Sequence, residues 1–166
     1  AARLAGRALT FDPILGATRQ ALAWWAEQGA DIVVVEGVGG LLCPLADVRK
    51  TVADLAIALD FPLVVVARRD LGTLNQSLLT LEAARRRGLR IAGVVLNDPA
   101  PPTQPLAAAH AASELLRWTE ETAVLIEIPF GPESAWLQEY IGRVNWFDQG
   151  MASRFLETHH PMEPRS

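Results

Sequence analysis

The chain has 166 residues, half of them hydrophobic and a fifth charged, with a formal net charge of -4. That length suits one domain with a sizeable core, and the acidic balance argues against nucleic acid as a partner while leaving a small phosphate ligand open. Cys43 is the only cysteine, which excludes an internal disulfide or a cysteine-built zinc cluster and points to a reducing, cytoplasmic setting.

In chain order, Ile14 to Gln28 reads as a helix that stops at Gly29. Ile32–Val35 is a short β-rich run, followed by the glycine-rich string Glu36-Gly37-Val38-Gly39-Gly40. Val52 to Leu59 predicts a helix ending before Phe61-Pro62, with Thr51 and Asp54 as cap and dipole partner. Leu63–Ala67 is the second β-rich run. Leu74 to Arg87 places Leu74, Leu78 and Leu81 on one helical face and ends at Gly88. Ile91–Leu96 is the third run, a helix is expected over Gln104 to Trp118, Val124–Ile128 is the fourth run, and a last helix is expected from Glu133 to about Arg143.

These runs are continuously apolar, as in strands buried on both faces, and they alternate with helices. That pattern predicts the α/β class, a parallel sheet with right-handed crossovers. One domain is expected over residues 1–145, with residues 146–166 a peripheral tail. No apolar stretch reaches the length of a membrane span, since Glu36 and glycines interrupt the longest, Ile32 to Leu42. The first ten residues form no secretory signal core, and a start at Ala1 suggests a segment of something longer.

In open α/β sheets, ligands bind beyond the carboxyl ends of the strands. The unusual residues fall there: Glu36 to Gly40, then Asp70 to Asn75, then Asn97-Asp98-Pro99, then Pro129-Phe130-Gly131. Glu36 is either a metal-side carboxylate or a strand-end acid paired with an amide or arginine. Thr73 and Gln76 match a capping box, and the first-turn amides left over could hold an anion. The Asn97 amide either matches the edge of adenine or orders its own turn.

Taken together, Val35 to Leu45, Thr51 to Leu55, Leu71 to Gln76, Gly93 to Asn97 and Glu127 to Pro129 resemble, in order and spacing, segments of the dethiobiotin synthetases. The likeness runs from about Ala1 to Gly142. It implies a P-loop NTPase-like α/β domain without its first strand and phosphate-binding loop. The implied activity is Mg-ATP-dependent carboxylation and ureido ring closure of 7,8-diaminononanoate with carbon dioxide, in a cytoplasmic homodimer. The resemblance implies ATP and Mg²⁺ as cofactors. Glu36 would be a Mg²⁺ ligand, and Gly37, Val38 and Gly39 would line the phosphates. Asn97, Asp98, Pro129, Phe130, Gly131 and Glu133 would surround the base. Gly72, Thr73, Leu74 and Asn75 would grip the substrate carboxylate from the partner chain.

The sequence departs from that family at Gln76, where a histidine is usual. No Gly-x-x-x-x-Gly-Lys-Thr loop occurs, because Lys50-Thr51 lacks the preceding glycines. The family's catalytic lysines are accordingly expected upstream of Ala1, with none in this chain. The competing expectation is a non-catalytic nucleotide-binding or dimerisation module derived from the same family.

Overall fold

A computed structural model describes residues 6, 8–46, 49–119 and 125–131. The expected helix from Glu133, the tail from residue 146 and Glu133 itself lie outside these residues. The chain divides into two compact units, one of residues 1–61 with 86–89, the other of residues 62–85 with 90–166. Among the described residues no helix is long and apolar enough to cross a membrane.

The first unit begins with α1 (Phe11–Glu27), which stops where Gly29 takes a left-handed conformation. A small antiparallel pair follows, β1 (Pro44–Ala46) with β2 (Lys50–Thr51), which local propensity did not announce. α2 (Val52–Leu59) begins where predicted. The Thr51 amide and hydroxyl both donate to Asp54 Oδ2 at 2.8 Å, which satisfies the start of this helix. Asp60 closes it in a left-handed turn. α1 is tied to this group by Arg19 Nη2 donating to the Ala58 carbonyl at 3.2 Å and by the Phe11 ring beneath Lys50.

One expectation fails in this unit. Residues 32–37 form no ladder, Ile32 and Val34 are exposed, and Val34 keeps 86% of its surface in solvent. Strand propensity describes a fit to a paired, half-buried surface, and no strand among the described residues pairs with this run.

The second unit holds the main sheet, three parallel strands in the order β3 (Leu63–Arg68), β4 (Ile91–Asn97), β5 (Leu125–Ile128). α3 (Thr73–Arg86) and α4 (Pro105–Trp118) make the crossovers. The α/β class with parallel strands is therefore as the alternation predicted. Val65, Val94 and Leu96 from the sheet pack with Leu81 of α3 and with Ala111, Ala112 and Leu115 of α4. Full burial of each large aliphatic side chain there contributes about 2 kcal/mol. β4 is central and buried from Ala92 to Leu96. β3 departs from the two-faced burial expected of it, since Val64 and Val66 are exposed and Val66 retains 65% of its surface. Both helices pack on the face that carries Val65, while Val64 and Val66 on the other face of β3 are exposed.

Candidate functional site

The parallel ladder aligns the carboxyl ends of three strands. Arg68, Asn97 and Ile128 are neighbours across the sheet, so the loops that follow start side by side. The Asp98 amide donates to the Ile128 carbonyl at 2.9 Å, extending the β4–β5 contact one residue past the strand. Pro129, Phe130 and Gly131 follow at once and are exposed, Gly131 with a positive φ of 75°. Asn97, Asp98 and Pro129–Gly131 therefore share one edge.

Asp98 is the unusual member. Its side chain keeps only 3% of its surface in solvent, and its Oδ2 accepts two bonds from Arg69, Nη2 at 2.6 Å and Nε at 3.1 Å. The third prong, Nη1, donates to Glu127 Oε2 at 2.7 Å. Asp98 first, then Glu127, raises the Arg69 guanidinium above its already high ordinary value. Arg69 thus joins the ends of all three strands. It escaped the sequence reading because its partners lie 29 and 58 residues away. Its place just past a strand end was the one available signal.

Asp70, the next residue, has a separate set of partners. Its Oδ1 accepts the Leu71 amide at 2.8 Å and its Oδ2 the Thr103 hydroxyl at 2.7 Å. These bonds, Thr103 foremost, hold the Asp70 carboxyl below its ordinary range. They fasten the turn before α3 to the loop before α4. Between the two helices opens a cavity of about 410 Å³, in the size range of small-ligand pockets. Gly72 lines it from the turn before α3, Thr73 and Leu74 from α3 itself, and Leu106, Ala107, His110, Ala111 and Glu114 from α4.

The start of α3 differs from the expected capping box. Thr73 is already helical and its hydroxyl faces Ser77 Oγ at 3.5 Å, so the Thr73–Gln76 box does not form. Gly72, with φ of 90°, takes the capping position instead, and its carbonyl accepts the Gln76 amide at 3.1 Å. The Thr73 amide is used by the Asp70 carbonyl at 3.2 Å. The amides of Leu74 and Asn75 have no acceptor among the described residues, which leaves a positive helix end at the cavity. Asn75 is exposed in this first turn and does not line the cavity.

Glu36, Gly37, Val38 and Gly39 belong to the other unit. Glu36 is exposed at the end of an unpaired segment, so the cost of desolvating a buried strand-end carboxylate does not arise. Gly37 and Gly39 have a packing use here, since a Cβ would come within 2.6 Å of Val52 Cγ1 and 2.9 Å of Cys43 Sγ respectively. Gly40 faces open space. No group of three or more His, Cys, Asp or Glu suited to a metal ion occurs among the described residues. An exposed lone carboxylate such as Glu36 fits the way Mg²⁺ is often held, by one or two acids, phosphate oxygens and water.

The family described as AAA domain matches residues 1–138. A protein from Anaeromyxobacter dehalogenans (strain 2CP-1) with the name ATP-dependent dethiobiotin synthetase BioD is 45% identical over 147 residues, covering 87% of this chain and 61% of that protein. A protein of the same name from Anoxybacillus flavithermus is 35% identical over 150 residues, covering 89% and 63%. The chain thus spans about three-fifths of the length of these curated relatives.

Proposed function

We propose, for a chain that belongs to the AAA-domain family, that it forms the base-recognition and substrate-clamp part of an ATP-dependent dethiobiotin synthetase. The observation that carries this reading is the cavity at the start of α3, where the free Leu74 amide meets apolar walls. Relatives bearing that enzyme name match the same residues.

The lining of the cavity supports one substrate class. The Leu74 amide suits a carboxylate, while Leu71, Leu106, Ala107 and Ala111 suit an aliphatic chain. A fatty-chain diamino acid, 7,8-diaminononanoate, has both parts. In the proposed reaction carbon dioxide adds to one amine, the carbamate is phosphorylated from ATP, and the second amine expels phosphate to close a cyclic urea. The clamp would serve the nucleotide site of a partner subunit in a cytoplasmic homodimer.

At the sheet edge, the Asn97 amide offers a donor and an acceptor to adenine, and the exposed Phe130 ring offers a stacking surface. Glu36 would take one position on Mg²⁺, which when bound offsets charge among the phosphates. The backbone of Gly37 to Gly39 would follow the phosphates, and Glu133 would complete the base pocket.

The test is product formation from Mg-ATP, bicarbonate and 7,8-diaminononanoate by the whole synthetase of which this chain would be the part described. Dethiobiotin, ADP and phosphate should appear in equal amounts. A protein that binds or hydrolyses ATP without forming dethiobiotin would sink the reading.

A further inference from the structure

We infer that Arg69 is a positioning residue for base recognition, acting through Asp98 and Glu127 on the strand-end edge that carries Asn97 and Pro129. This rests on reading that edge as the adenine site.

Arg69 lies one residue beyond β3, yet its guanidinium reaches past the end of central β4 to Glu127 on β5. A planar, forked cation holds two carboxylates on two strands in fixed directions; an ammonium would hold them with less control of direction. Asp98 and Glu127 are both acids, and Asp98 is nearly closed off from water. Without the cation between them, the buried Asp98 carboxylate would lose its partner and move toward water. That movement could not stay local. The Asp98 amide is bonded to the Ile128 carbonyl, with Asn97 before it and Pro129 following Ile128. A shift of Asp98 therefore changes the spacing of Asn97 against Pro129, the two residues a base would span.

An apolar trio would fill this volume at lower desolvation cost. The cluster sits instead at the ligand end of the strands, where direction matters more than burial. Arg69 ties three chain segments together and needs no contact with the ligand itself.

The experiment measures adenosine and guanosine binding by calorimetry in the wild type, R69M, R69K and E127Q, with unfolding followed on each. The wild type should prefer adenosine. R69M should weaken adenosine about tenfold and reduce the preference, with R69K and E127Q between. A merely structural Arg69 would lower the melting temperature and leave the adenosine-to-guanosine ratio unchanged in variants that remain folded. An unchanged ratio in R69M overturns the inference; if R69M does not fold, an unchanged ratio in both R69K and E127Q does so. A wild type with no preference for adenosine overturns the adenine reading of the edge, and the inference with it.

Discussion

Arg69 donates two hydrogen bonds to a single oxygen of Asp98, from Nη2 at 2.6 Å and Nε at 3.1 Å, and the acid is almost wholly out of water. Such a pair contributes little net stability over an apolar replacement, but removing one partner strands the other. D98A should therefore cost about 3 kcal/mol in urea unfolding. The double variant R69M/D98A should cost less than the sum of the single changes, because the stranded charge is gone. Additive costs would mean that the pair carries no coupling.

Asp54 gives a pH dependence with a defined sign. The Thr51 amide and hydroxyl, helped by Lys50 Nζ at 3.2 Å, lower its pKa from 3.8 to about 2. The folded state thus favours the carboxylate, so its contribution is complete above about pH 4 and fades as pH falls through 2. D54A should cost about 1 kcal/mol near neutrality, as a lost capping partner does. Unfolding curves of wild type and D54A taken at pH 6 and pH 2 should converge at the acid end. A gap that does not narrow would place the effect in packing.

Much of this was legible in the sequence because the signals are local. The apolar runs at Leu63, Ile91 and Leu125 became parallel strands, and Val52–Leu59 became a helix with its expected cap. What failed depends on partners. The Ile32–Val35 run has the composition of a strand, but a strand exists only in a ladder. Gly72 took the cap expected of Thr73, a one-residue shift that follows from its positive φ. Within the candidate site, Gly72 to Leu74 and Asn97 to Asp98 were visible as strand-end residues. Arg69, Thr103 and His110 were not, since their roles arise from contacts made across separate loops and helices.

The Asp70–Thr103 bond, 2.7 Å long, ties Asp70, which lines the α3 cavity, to the loop before α4. Both residues are exposed or nearly so, and the bond's use is to hold two loops in register. T103A should raise the KM for the diamino acid about threefold with kcat unchanged, the signature of lost uniform binding. A fall in kcat alone would assign Thr103 another part.

Gly37 and Gly39 make close contacts of different kinds, and substitutions can separate them. A Cβ on Gly37 would meet Val52 Cγ1 at 2.6 Å, and Val52 cannot retreat easily. It opens α2, and its amide is bonded to the Cys43 carbonyl at 3.1 Å. G37A should cost about 1–3 kcal/mol, the usual range for overpacking. V52A should restore part of that loss by removing the clashing methyl. Gly39 adds a positive φ of 73° to its 2.9 Å approach to Cys43 Sγ. G39A therefore carries a backbone strain of about 1 kcal/mol that no neighbouring truncation relieves. C43A should recover only the steric share of the G39A loss. Chemical unfolding of the two double variants measures both outcomes, and full recovery of G39A by C43A would show that backbone conformation has no part in keeping glycine there.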